Sequence, residues 1–260
     1  MRTARSAARP KVSVEAFRTP RWTVRDWVAA AAILVWTCLA FSPAWWSDFV
    51  RWDDHLLITE NPHFRGFSPR HLAWMFSTTL LGHYQPLTWL SLAINHSISG
   101  MDPRGYHVTN VALHALNAVL LFRLAGLLIA AGSRGLSVER VRWGAMIAAV
   151  LWSVHPLRAE SVSWVTERRD VLSTFFLLAA AIAYARGAVG TSRAWPLAAA
   201  MLLLSLLSKA WGMSFFVLTI ILDVFPFRRL PWNPLLWLRA EYRSVLFEKA
   251  PFIVLGVAAA

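Results

Sequence analysis

The chain has 260 residues, of which 57% are hydrophobic and 15% charged, and it contains 15 Trp. This composition is too apolar for an ordinary soluble domain and indicates that most of the chain lies in lipid. The single Cys38 excludes a disulfide framework and a cysteine-based metal site. The net charge of +12 comes from dispersed basic residues instead of one patch, so no nucleic-acid partner is predicted.

The first uncharged stretch, residues 27–47, follows a basic N-terminal tail formed by residues 1–26. As a helix it would extend ~31 Å, about the thickness of a bilayer core. The alternative is a cleaved signal peptide, but the basic lead-in and the apolar run are both too long for one. We therefore predict a retained membrane-spanning helix. Further apolar runs predict spans over 106–131, 143–157, 171–185, 194–208 and 210–222, with a seventh beginning at 250.

The segment 48–105, between the first two predicted spans, is too long to be a simple connector. Ser68 and Pro69 have the form of a helix N-cap followed by proline at the first helical position. Farther on, apolar residues recur at three- and four-residue intervals over 87–98. We predict two amphipathic helices in the plane of the membrane interface, either packing over the bundle or helping to hold a lipid substrate.

The basic residues distinguish the two sides of the membrane. If the N-terminus is cytoplasmic, the inner segments carry the whole net charge of +12, whereas acids and bases balance in the outer segments. This asymmetry is typical of membrane proteins with basic cytoplasmic loops. The inner segments are then 1–26, 132–142, 186–193 and 227–249, and the outer ones are 48–105, 156–170 and residue 209.

Five motifs occur in order along the chain: RWDDHLLITENPHF (51–64), GHYQPLTWLSLAIN (82–95), MDPRGYHVTNVALHALN (101–117), VHPLRAESVSWVTERRDVLS (154–173) and SKAWGMS (208–214). In order and spacing they resemble the membrane module of the transmembrane and tetratricopeptide-repeat protein family. The resemblance covers about residues 48–226 and implies an all-α, polytopic helical bundle of the GT-C glycosyltransferase type over residues 27–260. Relatives carry further spans and tetratricopeptide repeats beyond this module, so we expect the chain to be the front part of a longer protein.

The adjacent acids Asp53 and Asp54 follow the first predicted span. In GT-C enzymes an acidic residue of the first external loop acts as the base, so the resemblance implies that one of these two is catalytic. Neighbouring like charge and partial desolvation favour proton uptake by one member of such a pair. The sequence does not choose between them, and the alternative role is a helix or turn cap beside the membrane.

Positive charge for a departing phosphate is predicted to come from Arg168, Arg169 and Lys209, which lie on the same predicted side as the acids. Arg168 and Asp170 match the Arg-x-Asp element of the family. Lys209 stands alone between two apolar runs, where an unpaired charge would be costly. The alternative for residues 167–170 is a solvated salt-bridge cluster at the top of a helix.

His83, His155 and Glu160 complete the predicted substrate-binding set. His83 is placed to donate to phosphate or acceptor, or to cap the helix that begins near residue 87. His155 precedes a proline and more simply marks a helix end. No short histidine spacing places two ligands on one face, so no metal site is predicted, although a divalent-metal requirement stays open.

These features together predict a membrane glycosyltransferase of the inverting type. Its donor would be a polyprenyl-phosphate-linked, mannose-like sugar, and its acceptor a hydroxyl of a protein or glycan outside the cytoplasm. We expect a bacterial inner membrane, with the N-terminus cytoplasmic and the site facing the exterior. The alternatives are a transporter or flippase of lipid-linked sugars, for which inverted repeats and midplane sites are typical, and a non-catalytic scaffold.

Overall fold

The computed structural model describes residues 22–133, 135–190 and 194–260, so most of the predicted basic tail lies outside the described residues. The described residues form an all-α structure in which short 3₁₀ and π turns connect the helices and no strand occurs. The α-helices are α1 (Val24–Ala40), α2 (Pro69–Ser77), α3 (Pro86–Ser99), α4 (Pro103–Gly132), α5 (Val138–Ser153), α6 (Arg158–Ser163), α7 (Arg168–Ala188), α8 (Ala194–Leu206), α9 (Phe215–Val224), α10 (Arg243–Phe247) and α11 (Ala250–Ala258).

Two helical stretches in the described part of the chain are long and apolar enough to cross a membrane: Pro103–Gly132 and Val165–Ala188. Large apolar side chains also cover the outside of the bundle. On α5, Trp143, Ile147 and Leu151 lie four residues apart and are all exposed, which places them on one helical face. An apolar outer face is what a lipid environment stabilises, and the chain is therefore membrane-associated.

The predicted span over 210–222 is helical but shorter than the two long helical stretches. The apolar stretch Ala210–Val224 begins with a 3₁₀ turn at Ala210–Ser214, which continues directly into α9. The ten residues of α9 extend ~15 Å, which is about half a bilayer core. An uninterrupted apolar composition does not reveal the 3₁₀ start, because the turn itself is built from apolar and small residues.

The two predicted helices of the segment 48–105 are confirmed. The Ser68 hydroxyl accepts a hydrogen bond from the backbone N–H of His71 at the start of α2, and Pro69 occupies the first helical position. A proline, Pro86, also begins α3. Trp89 of α3 is fully buried against Phe64 and Trp74, so this segment has an apolar core of its own.

The helices α7 and α8 form the closest long contact in the bundle. Ala180, Ala181 and Ala198 are buried between them with Leu202 and Leu206. Small side chains let the two backbones approach, which is the usual basis of helix association in lipid.

Contacts at the two ends of the bundle agree with the predicted grouping of segments. At one end, Asp26 accepts from Arg142 (2.7 Å between Oδ1 and Nε), so the starts of α1 and α5 lie together. At the other end, the Thr88 hydroxyl donates to the carbonyl of Ser208 at 3.0 Å. This second contact fixes the start of α3 to the end of α8, which positions the candidate site.

A buried ionic cluster anchors α11 near the end of the bundle at which α1 and α5 begin. The Asp223 carboxylate is fully buried and pairs with Lys249 and with Arg229 (3.0 Å), and it accepts from the Tyr184 hydroxyl at 2.7 Å. At its other end α11 packs on the turn Ala210–Ser214: a Cβ on Gly256 would lie only 2.5 Å from the Met213 carbonyl oxygen. This close approach requires glycine, and it places α11 beside the candidate site.

Candidate active site

The two adjacent aspartates have different environments. Asp54 is fully buried; its carboxylate accepts from the backbone N–H of Val50 (2.9 Å) and from both the N–H (2.8 Å) and the hydroxyl of Thr166. It therefore joins the segment after α1 to the turn before α7, much as a capping residue does. Asp53 is half-buried, and no group in the described part of the chain donates a hydrogen bond to its carboxylate.

The charged residues at the start of α7 form a buried network instead of the solvated cluster given as the alternative, which is therefore wrong. Arg169 donates through Nε and Nη2 to Oε1 of Glu167, the latter at 2.6 Å. Lys209 pairs with Oε2 of Glu167 at 3.1 Å and with Asp170, whose other oxygen accepts from Ser161 at 3.0 Å. Lys209 is thus paired, contrary to its isolated position in the sequence, because the end of α8 meets the start of α7.

Arg168 points into the protein interior. Its guanidinium is fully buried and donates to the Ser91 hydroxyl (2.8 Å), the Tyr106 carbonyl (2.9 Å) and the side-chain oxygen of Asn110. All three sides of the guanidinium are occupied, so Arg168 ties α7 to α3 and α4. Its neighbour Arg169 shares none of these contacts and pairs with Glu167.

A cavity of about 440 Å³ lies between the segment 79–85 and helices α8 and α11. Its wall contains both polar and apolar side chains. This volume is within the range of small-molecule binding sites. The polar lining consists of Thr79, His83, Tyr84, Gln85, Arg169 and Lys209, and the larger apolar side chains are Leu203, Leu206, Leu207, Met213 and Leu255.

His83 lines this cavity in a positive environment. Its pKa lies below the ordinary 6.5, chiefly because of partial burial and then because of the charges of Arg169 and Lys209; the carboxylates of Glu167 and Asp53 oppose the shift. The imidazole is therefore neutral at pH 7, able to donate from one nitrogen and accept at the other. The charge of Asp53 acts on His83, so this free carboxylate lies in the neighbourhood of His83.

Two predicted residues lie elsewhere. His155 and Glu160 are exposed on the connection from α5 into α6 and are not part of the cavity wall. The Nδ1 atom of His155 accepts a hydrogen bond from the backbone N–H of Leu157. Helix α5 ends just before His155, at Ser153, as predicted from Pro156. In the part of the chain that the structure describes, no group of three or more His, Cys, Asp or Glu side chains is arranged to hold a metal ion.

Three residues of the site, Thr166, Asn110 and Gln85, are not among those predicted from the sequence. Thr166 and Asn110 lie inside quoted motifs, but their partners Asp54 and Arg168 are far away in the chain, so spacing alone could not reveal the pairs. Gln85 lies two residues after His83 in the motif GHYQPL. That proximity was the available signal for its place in the same cavity wall.

Comparison with known proteins identifies relatives of this chain. It is 32% identical over 184 residues to "Protein O-mannosyl-transferase tmtc2" of Xenopus laevis, covering 66% of this chain and 21% of that protein. It is 30% identical over 219 residues to "Protein O-mannosyl-transferase TMTC1" of Homo sapiens, covering 76% of this chain and 24% of that protein. The chain thus spans between a fifth and a quarter of the length of these relatives.

A third relative, "Protein O-mannosyl-transferase Tmtc3" of Drosophila melanogaster, is 35% identical over 119 residues, or 42% of this chain and 13% of that protein. No family model matches the chain, and no solved structure matches it. The relatives named here are animal proteins, so the expected bacterial inner membrane stays a prediction. The matches to these relatives show that the chain belongs to the transmembrane and tetratricopeptide-repeat (TMTC-like) protein family.

Proposed function

We propose that this chain is the membrane module of an inverting glycosyltransferase that takes a mannose-like sugar from a polyprenyl-phosphate carrier. The acceptor is a hydroxyl of a protein or glycan. The observation that carries the proposal is a 440 Å³ cavity whose wall combines the cations Arg169 and Lys209 with several leucines and a methionine. A lipid-linked sugar phosphate likewise combines a charged head with an apolar chain.

The phosphate of the donor would bind beside Arg169 and Lys209. Arg169 uses Nε and Nη2 on Glu167, and no bond from its Nη1 is made in the described part of the chain. Lys209 donates to Glu167 and Asp170, which leaves one of its three N–H groups. The two acids hold the cations in place, and the remaining N–H groups stabilise the negative charge that develops on the leaving phosphate.

Asp53 would be the base. Its carboxylate is free and half-buried, whereas that of Asp54 is occupied by Val50 and Thr166. In the proposed step Asp53 takes the proton of the acceptor hydroxyl as the hydroxyl oxygen bonds to the anomeric carbon. The bond from that carbon to the phosphate oxygen breaks, and polyprenyl phosphate leaves with the electron pair. A single displacement inverts the anomeric configuration.

The proposed orientation places this site outside the cytoplasm. It follows from the basic residues, which gather at the opposite side of the predicted topology. The membrane would then orient the donor with its head toward the site and its chain along α8 and α11.

The test uses purified protein in lipid nanodiscs with polyprenyl-phosphate mannose and a peptide rich in Ser and Thr. We expect mannose transfer, with an inverted product configuration by NMR, and loss of transfer in Asp53→Asn. If wild-type protein binds the donor but transfers nothing to peptide or to glycan acceptors, the proposal is wrong. Movement of the lipid-linked sugar across liposome membranes without transfer would instead identify a flippase.

A further inference from the structure

We propose that the side-chain carboxamide of Gln85 binds a hydroxyl of the sugar that the donor carries, and so helps to select the sugar. This inference rests on the proposed function and extends it. Nothing in the comparisons or in the motif resemblance assigns a role to this residue. The juxtaposition that carries it is an unpaired, buried amide oxygen in the wall of the donor cavity.

Gln85 is only 2% exposed, and its Oε1 accepts no hydrogen bond. Other buried side chains in the described part of the chain also have an unpaired polar atom, but of these only Gln85 lines the 440 Å³ cavity. A buried acceptor without a partner destabilises a protein by about 1–3 kcal/mol. Such a cost is commonly retained where a ligand supplies the missing partner.

The backbone around Gln85 is held firmly, so the side chain starts from a fixed point beside the cavity. The N–H of Leu87 donates to the Leu207 carbonyl at 3.1 Å, and the Thr88 hydroxyl donates to the Ser208 carbonyl at 3.0 Å. The main-chain carbonyl of Gln85 itself accepts from the N–H of Trp89 at 3.2 Å. These bonds join the Gln85 segment to the residues directly before Lys209, and therefore fix the backbone of Gln85 relative to the proposed phosphate site.

The chemistry of the cavity also needs an acceptor of this kind. Arg169 and Lys209 are donors only, which suits phosphate oxygens but not the O–H of a sugar. The nearby carboxylates of Glu167 and Asp170 already accept from these cations. Gln85 supplies an uncharged acceptor beside the phosphate site, where the first sugar of a lipid-linked donor must lie.

The test compares binding of polyprenyl-phosphate mannose with binding of sugar-free polyprenyl phosphate to protein in nanodiscs. Gln85→Met keeps the length of the side chain but removes the acceptor. We expect it to weaken binding of the mannose-bearing lipid about tenfold, with little change for the sugar-free lipid. Because the acceptor is unpaired without a donor lipid, we expect the melting temperature of the lipid-free protein to stay equal or to rise.

A second variant, Gln85→Glu, keeps an acceptor at the same reach and is expected to retain the preference for the mannose-bearing lipid. If Gln85→Met weakened the binding of both lipids equally and lowered the melting temperature, the role of Gln85 would be structural and the inference would be overturned. An unchanged ratio of the two affinities would also overturn it while leaving the proposed function intact. If wild-type protein binds neither lipid, both proposals fail.

Discussion

The backbone N–H and the hydroxyl of Thr166 both donate to the same carboxylate oxygen of Asp54. This double contact joins the segment after α1 to the turn that begins α7. It also makes the two neighbouring acids unequal, because Asp53 has no such donor in the described part of the chain. The structure therefore distinguishes Asp53 from Asp54, which the sequence alone does not.

The first prediction compares Asp53→Asn with Asp54→Asn. Loss of a general base typically lowers the rate about 10²–10⁴-fold, and we expect kcat of Asp53→Asn to fall in this range with an unchanged melting temperature. In Asp54→Asn, only one acceptor oxygen is left for Val50 and Thr166, so a lower melting temperature is expected. The two variants are isosteric controls for each other. A stable Asp54→Asn with abolished transfer would reverse the assignment.

Arg168 is expected to act on folding and Arg169 on donor binding. Arg168→Met leaves the acceptors on Ser91, Asn110 and Tyr106 without their donor, and because each unsatisfied buried acceptor costs about 1–3 kcal/mol, we expect a destabilisation of at least that size. The free energy of unfolding in detergent measures this change. Arg169→Lys retains the charge and should unfold near the wild-type temperature but bind polyprenyl phosphate more weakly. If Arg168→Met were as stable as wild type, the structural role given to it here would be wrong.

Lys209 neutralises two buried acids, so the loss of stability on its removal should depend on the charge of those acids. Lys209→Met leaves Glu167 and Asp170 with one cation fewer and is expected to lower the melting temperature. The double variant Lys209→Met with Asp170→Asn removes one charge of each sign and should recover part of that loss. Transfer activity should not recover, because the proposed phosphate ligand is still absent. Independent, additive effects would show that the pair is not coupled.

The pKa of His83 gives a test of the electrostatics of the cavity. Burial and the charges of Arg169 and Lys209 hold this pKa below 6.5, so the neutral form is favoured through the neutral pH range. Lys209→Met removes one of the charges that lower the pKa, and the pKa should therefore rise. Addition of polyprenyl phosphate to wild-type protein should shift it in the same direction. NMR titration of the labelled histidine measures both changes, and a fall in either case would contradict the proposed phosphate position.

The orientation of the chain in the membrane can be tested with cysteines placed at two exposed acidic positions. In a Cys38→Ser background, Glu160→Cys lies on the predicted outer side and Glu241→Cys on the predicted inner side. A membrane-impermeant maleimide should label the first in intact cells and the second only after permeabilisation. The opposite pattern would invert the proposed orientation.

Local signals in the sequence were sufficient for the helices of the long segment before α4. Ser68 with Pro69 predicted the start of α2, and the spacing of apolar residues predicted α3, since both depend on neighbours within a turn. Tertiary contacts decided the rest. The burial of residues 167–170 depends on Lys209 arriving from the end of α8, and mixed charge runs without such a partner are usually solvated. The 3₁₀ turn at 210–214 likewise has no hydrophobicity signal.

Leu203 of α8 lines the cavity and is 42% exposed, and we expect the cavity to open toward the lipid beside this residue. A carrier chain bound there would not have to leave the hydrocarbon phase to bring its head to Lys209. Withdrawing a lipid chain into water costs about 0.8 kcal/mol for each CH₂ group, a sum that grows quickly for a polyprenol. An opening of the cavity toward the lipid would remove this cost both when the donor arrives and when the spent carrier leaves. Turnover would then depend on lateral diffusion of the lipids in the bilayer.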